Sequence, residues 1–146
     1  MTLQLKDAIY EGEVLDGIPH GKGSMKWKNG DNYKGNFVKG KREGTGIWIG
    51  NNGNSYDGDF KDDKKNGRGI YKWASGNSYD GEWVDVKKEG RGVYSCLSGE
   101  SYDGQFKDDL RNGRGILKLA NGDSYEGEYK NDKYNGTGIF KWANGD

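Results

Sequence analysis

The chain has 146 residues and a formal net charge of zero, with 23 basic and 23 acidic side chains, so no bulk field draws it to nucleic acid or an anionic surface. Hydrophobic residues are only 31%, but aromatics reach 13% and there are 27 glycines against one proline, Pro19. Low apolar content with many rings and no excess charge argues against disorder and for a thin folded structure. One cysteine, Cys96, excludes an internal disulfide framework. No apolar run approaches the roughly 20 residues of a membrane span. The opening MTLQLKDAIY lacks the apolar stretch of a secretory signal, and the expected location is cytoplasmic.

Residues 1–9 read as an N-terminal extension or partial cap. From Tyr10 onward one unit repeats with a period of 23: tyrosine recurs at Tyr10, Tyr33, Tyr56, Tyr79, Tyr102 and Tyr125. The six copies are 10–32, 33–55, 56–78, 79–101, 102–124 and 125–146. Glycine keeps the same clock 2, 11, 13 and 20 positions after each tyrosine, and these four columns hold 24 of the 27 glycines, from Gly12 to Gly145.

Each unit alternates with period two in two short runs, such as Tyr79–Trp83 and Gly69–Trp73, bounded by glycine and asparagine. The spacing predicts an all-β fold, an elongated single-layer antiparallel meander of twelve short strands in stacked hairpins. Asn29-Gly30, Asn52-Gly53, Ser75-Gly76 and Asn121-Gly122 mark the turns between units. A three-residue turn with left-handed Gly is expected there, setting Trp73 opposite Tyr79, Tyr71 opposite Gly81 and Gly69 opposite Trp83. Within a unit, an eight-residue loop is expected, setting Phe60 opposite Gly69 and Tyr56 opposite Trp73. Rings would then lie over cross-strand glycines, a device that supports glycine in a sheet. The same register predicts a charge ladder on the other face: Glu11 with Lys26, Asp57 with Lys72, Asp103 with Lys118, Glu126 with Lys141, Lys72 with Asp80 and Lys118 with Glu126.

One unit is therefore Tyr-x-Gly-x-aromatic, a loop, Gly-x-Gly, an apolar strand and Asn-Gly-Asp. It resembles the MORN repeat (membrane occupation and recognition nexus) throughout residues 10–146. The resemblance implies a rod-like twisted sheet of stacked hairpins. It also implies a non-enzymatic scaffold or targeting module, of the kind found in junctophilins, cytoskeletal proteins of parasites and ciliary radial-spoke heads. Such repeats also accompany kinase or methyltransferase domains, so the repeat region of a larger enzyme, such as a lipid kinase, is an alternative.

Several positions depart from the family pattern. A glycine seven after the tyrosine occurs only at Gly17 and Gly40; Asp63, Asp109 and Asp132 replace it, and Asp tolerates left-handed backbone. Val86 does not, so its loop is expected to take another shape. Seventeen after the tyrosine stand Trp27, Trp73 and Trp142, but Gly50, Cys96 and Leu119 elsewhere. Cys96 reads as a small buried hydrophobe. The chain ends at Asp146 just before a seventh tyrosine, without a polar cap. The expectation is a piece of a longer protein, or an end that meets a partner.

No catalytic constellation recurs, and no enzyme, cofactor or metal site is read. Residues 57–67, DGDFKDDKKNG, cluster aspartates, but Lys61 and Asp62 stand where a calcium loop needs an oxygen ligand and glycine. Gly-Arg-Gly at 67–69, 90–92 and 113–115 precedes no helix, so it is not a phosphate loop. His20 reads as a solvated loop residue.

A single layer leaves its rings partly exposed, and exposed apolar stripes mark interaction sites. The expected function is a scaffold holding a protein partner, a helix or extended peptide, in a cytoskeletal or membrane-associated assembly. The groove residues are Tyr33, Phe37, Trp48, Tyr56, Phe60, Tyr71, Trp73, Tyr79, Trp83, Tyr102 and Phe106. The alternative is an anionic-lipid or phosphoinositide module using Lys39, Lys41, Arg42, Lys64, Lys65, Lys87 and Lys88, with Arg68 and Arg91 beside them on one edge. A homo-oligomer through the end strand Gly138–Trp142, with Ile139 and Phe140, is a third expectation.

Overall fold

The computed structural model describes residues 1–143; Gly145, last of its glycine column, lies outside the described residues. The strands are β1 (Thr2–Gln4), β2 (Ala8–Leu15), β3 (Ile18–Trp27), β4 (Asn32–Val38), β5 (Lys41–Ile49), β6 (Ser55–Lys61), β7 (Lys64–Lys72), β8 (Ser78–Val84), β9 (Lys87–Ser95), β10 (Ser101–Lys107), β11 (Leu110–Lys118), β12 (Ser124–Lys130) and β13 (Lys133–Lys141). They form one open antiparallel sheet in sequence order, with no helix among the described residues. The sequence missed β1, which pairs Thr2 with Glu11 and Gln4 with Ile9 along the outer edge of the first repeat.

The hairpin inside each unit is tighter than expected. Lys61 pairs with Lys64 across a two-residue turn in which Asp62 (φ 49°) and Asp63 (φ 70°) are both left-handed. This is the primed turn whose twist matches that of its strands. Residues 64–68, expected in a loop, are strand. Val86 adopts the same turn at φ 77° instead of reshaping it.

The turn between units has the expected three residues. Gly76 (φ 100°) donates to the Trp73 carbonyl at 3.0 Å, and Trp73 donates to that of Asn77 at 2.9 Å. That closure fixes a register two residues away from the expected one. Tyr71 faces Tyr79, Gly69 faces Gly81 and Gly67 faces Trp83; within the unit, Tyr56 faces Tyr71 and Gly58 faces Gly69. Acidic residues therefore lie beside aliphatic ones (Asp57 with Ile47 and Ile70, Asp80 with Ile70 and Val93), and the expected charge ladder is not formed. The cross-strand ion pairs on that face are Arg68–Asp80 and Arg91–Asp103.

Between Gly58 and Phe60 the ladder carries a bulge, and Phe60 comes to face Lys65. The Arg68 N–H, in the bulged stretch of β7 opposite Asp59, donates to the Asp59 carboxylate at 3.1 Å. Glu13, Glu82 and Gln105 accept the same bond from Lys22, Arg91 and Arg114 at 2.8, 2.7 and 3.0 Å. In these four repeats the polar side chain three after the tyrosine thus satisfies a backbone donor that the bulge frees, whereas Asn36 instead donates to the Thr45 hydroxyl at 3.4 Å.

The core is a single file of rings. Tyr10, Tyr33, Tyr56 and Tyr79 are almost wholly covered, at 0 or 1% exposure. Each hydroxyl turns along its own strand to donate to the carbonyl three residues on, as Tyr56 does to Asp59 at 2.8 Å. The ring then lies across the next strand's glycine: a Cβ on Gly69 would collide with the Tyr56 phenol. Tyr10, with Val14 four residues on, meets Phe37 of the following unit edge to face. The tyrosines from Tyr33 to Tyr102 meet edge to face both the ring four residues on and the equivalent ring of the following unit. Tyr33 meets Phe37 and Phe60, Tyr56 meets Phe60 and Trp83, and Tyr79 meets Trp83 and Phe106, at centroid distances of 5.1–5.7 Å. That geometry satisfies the ring quadrupole and adds about 0.5–1.5 kcal/mol per pair beyond the area buried. One layer can bury its rings because glycine lets them sink against the sheet.

Candidate functional site: an aromatic groove under a row of cations

The groove is built by three side-chain columns on the ring-bearing face. The lowest holds the buried tyrosines and the rings four residues after them. Of the eleven groove aromatics named from the sequence, Tyr33, Phe37, Tyr56, Phe60, Tyr79, Trp83, Tyr102 and Phe106 are buried in this layer. Trp83 is 4% exposed, and its indole N–H donates to the Gly69 carbonyl at 3.2 Å. These residues hold the repeats together and leave little surface for a partner.

The second column, fifteen and seventeen after the tyrosines, supplies the accessible floor over repeats one to four. Trp48, Tyr71 and Trp73 are half-buried, as are Trp27 and Tyr94, which the sequence reading overlooked. Trp48 lies 6.3 Å from Tyr71, Tyr71 4.7 Å from Trp73, and Trp73 5.4 Å from Tyr94, a continuous ring stripe over repeats two to four. For Tyr94 the missed signal was the column fifteen after the tyrosines, in which Met25, Trp48, Tyr71, Tyr94, Leu117 and Phe140 stand, with Met25 and Leu117 buried. Trp27, Trp48, Tyr56 and Phe60 line a groove of about 540 Å³. A second hollow of about 260 Å³ lies between Tyr94, Cys96 and Leu117. Cys96 is half-buried there, and burial followed by nearby Glu100 pushes its thiol pKa up.

The third column, nine after each tyrosine, lays cations over the rings. Arg42 sits 5.2 Å from the Phe60 centroid and 5.7 Å from that of Trp27. Lys65 is 4.7 Å from Tyr71 and 5.1 Å from Trp83, Lys88 is 5.7 Å from Trp73, and Arg111 is 4.8 Å from Tyr129. Each of these residues also ties its repeat to the next. Arg42 donates its backbone N–H and its Nε to the Asp63 carboxylate, at 2.7 and 3.1 Å. Arg111 holds Asp132 in the same way, and the Lys88 ammonium stands 3.5 Å from Asp109.

The seven basic residues named for lipid therefore divide. Arg42, Lys65 and Lys88 turn onto the ring face, whereas Lys39, Lys41, Lys64 and Lys87 remain exposed along the hairpin-tip edge. Arg68 and Arg91 occupy the opposite face, paired with Asp80 and Asp103.

His20 also differs from expectation. It lies in β3, half-buried, and its Nδ1 accepts the Lys39 N–H of the next hairpin at 3.2 Å. Glu43, Asn66, Glu89 and Asn112 accept the equivalent bond from Asp62, Asp85, Asp108 and Asn131. The column is an inter-repeat acceptor, so histidine here serves as one. Of the aspartates of 57–67, Asp62 and Asp63 form the turn, with Asp63 held by Arg42, Asp59 serves the bulge, and Asp57 lies between Ile47 and Ile70. Among the described residues, no group of three or more His, Cys, Asp or Glu is arranged to hold a metal ion.

A single open sheet of stacked hairpins, sealed by one ring file and stapled at both hairpin ends, defines a single-sheet β-repeat protein. The family model of the MORN repeat matches residues 10–32, 33–55, 56–78, 79–101, 102–124 and 125–146, and the chain belongs to the MORN repeat family, a non-catalytic repeat module. Thirty residues are 53% identical to alsin of Mus musculus and of Homo sapiens, covering 20% of this chain and 2% of each relative. Among solved structures, the fold is similar to the SAS-4 TCP domain of Drosophila melanogaster, solved in complex with a proline-rich motif of Ana2. That match has a TM-score of 0.51 at 13% identity and covers 86% of this chain and 75% of that one.

Proposed function

We propose that the protein is a non-enzymatic scaffold that holds a segment of a protein partner, a helix or an extended peptide, along the ring stripe from Trp48 to Tyr94, within a cytoskeletal or membrane-associated assembly. The observation that carries this reading is the stripe's position above a core already sealed by the buried tyrosines: Trp48, Tyr71, Trp73 and Tyr94 keep exposed ring surface that the fold does not use. Large rings with little conformational freedom are the anchors of protein interfaces. The SAS-4 sheet, of similar form, is solved with a proline-rich motif, so an extended segment is an occupant that such a sheet accepts.

Selection of displayed short peptides on the intact chain tests it. Peptides selected on the wild type are expected to lose binding to Trp73→Ala. Equal binding to both chains would place the interface elsewhere.

A second reading, self-association, is favoured by β13. Every residue of this strand is exposed, and Tyr134, Ile139 and Phe140 stand beside its open edge. Light scattering that reports a monomer at all concentrations would exclude it.

A further inference from the structure

The cation column is complete except in one respect. Arg42, Lys88 and Arg111 each meet an aspartate of the following hairpin turn, Asp63, Asp109 and Asp132. The equivalent residue for Lys65 is Val86, and among the described residues no carboxylate lies within ion-pair distance of the Lys65 ammonium. The backbone staple persists, with Val86 donating to the Lys65 carbonyl at 3.0 Å. The side chain that would neutralise the cation is missing.

Val86 is also poorly suited to the turn. It is β-branched at φ 77°, a region its sister positions fill with Asp or Gly, and its side chain is exposed. The turn therefore carries strain and places an apolar group beside an unneutralised ammonium. Both line the same groove as Trp48, Tyr56 and Phe60. Burial, and then the nearby positive charge of Arg42, depress the Lys65 pKa; Asp109, which pairs with Lys88 and lies beyond ion-pair distance of Lys65, opposes them only in part.

We propose that Lys65 receives one carboxylate side chain of the partner segment, so that the occupant of the groove is an acidic peptide whose Asp or Glu is flanked by apolar residues. The partner's carboxylate takes the place that Asp63 holds for Arg42, while Val86, Trp48 and Tyr71 contact the flanking side chains. A membrane is a poorer match. The ammonium lies among rings on the sheet face, whereas a flat lipid surface meets first the exposed lysines of the hairpin tips. The inference rests on the groove reading and adds the chemistry of its ligand.

The test uses pools of synthetic peptides with one fixed residue (Glu, Gln or phosphoserine) among randomised neighbours, measured by fluorescence anisotropy against the intact chain. The wild type is expected to favour the Glu pool over the Gln pool by about tenfold, the value of one desolvated charge-assisted contact. Val86→Asp restores the internal ion pair and removes the strain. It is expected to erase the Glu preference while raising the melting temperature by about 2–4 °C. Lys65→Gln is expected to erase the preference without that gain. Equal binding of the Glu and Gln pools to wild type, or a Glu preference that survives Val86→Asp, overturns the carboxylate site and leaves the groove reading intact. Binding of no pool overturns both. A stronger phosphoserine pool, retention on phosphatidylinositol bisphosphate vesicles lost in Val86→Asp, or a dimer lost in that variant would assign the cation to another anion and overturn the proposal.

Discussion

The Tyr56 hydroxyl donates to the Asp59 carbonyl at 2.8 Å and, in doing so, lies across Gly69 of the neighbouring strand. Hydrogen bond and glycine pocket are two halves of one device. Tyr56→Phe is expected to lose the bond and about 1 kcal/mol, since the Asp59 carbonyl loses its donor. Gly69→Ala is expected to cost more, about 2–3 kcal/mol, because a methyl group must displace a ring held on every side. Thermal denaturation of the single and double variants checks both. In a double-mutant cycle, Tyr56→Ala should recover part of the Gly69→Ala loss.

Tyr129 reverses the sign. It occupies the column filled by Phe37, Phe60 and Phe106, and its buried hydroxyl has no hydrogen-bond partner among the described residues. Tyr129→Phe removes an unsatisfied donor without changing the ring, and a stabilisation of about 1 kcal/mol is expected by chemical denaturation.

Burial raises the phenol pKa along the file, pushing Tyr33 up to about 12, with Tyr56, Tyr79 and Tyr129 also raised. An unfolded chain releases these protons near pH 10. Below that value both states hold them, and stability does not depend on them. Above it the unfolded state binds fewer protons than the native one, so stability falls as pH rises from about 10 through the folded values. Phenolate absorbance of these tyrosines should therefore appear together with loss of the sheet signal. Full phenolate absorbance of all ten tyrosines with the sheet intact would refute it.

The columns of tyrosine and glycine were legible because a repeat multiplies a weak pattern six times. The register was not. A slip of two residues leaves every side chain on its own face, so alternation is blind to it; only the closure of Trp73 on Asn77 settles the pairing. The bulge opposite Asp59 was hidden for a related reason, since its extra residues fall at strand positions and not at a turn. Lys65, Val86 and His20 act across repeat boundaries, about 20 residues apart, and no local window joins such partners. The burial of Trp83 follows from its contact with Tyr56 of the preceding repeat, which made a structural ring resemble an exposed anchor.

His20 offers a test of the inter-repeat acceptor column. Its Nδ1 receives the Lys39 N–H, so the side chain must present an acceptor at that position. His20→Asn keeps one, as Asn66 does for Asp85, and is expected to be within about 0.5 kcal/mol of wild type. His20→Ala leaves the donor to water and should cost about 1 kcal/mol. Hydrogen exchange at the Lys39 amide would locate the effect, accelerated in the alanine variant alone.

Trp73 and Trp83 separate surface from core most directly. Trp83 is buried, meets Tyr56 and Tyr79 edge to face, and donates to Gly69; Trp83→Ala should cost about 3–5 kcal/mol and loosen the junction of the third and fourth repeats. Trp73 meets the Tyr71 and Tyr94 rings at 4.7 and 5.4 Å and remains only half-buried. Trp73→Ala should cost about 1 kcal/mol, with the sheet spectrum unchanged. Measured against the peptides selected on wild type, the two variants should part company. Trp73→Ala should lose binding while remaining folded, whereas any loss in Trp83→Ala should track its unfolded fraction and be restored at lower temperature. Equal stability losses in the two variants would mean that the stripe is as much core as the ring file beneath it, and the groove would have no floor to offer a partner.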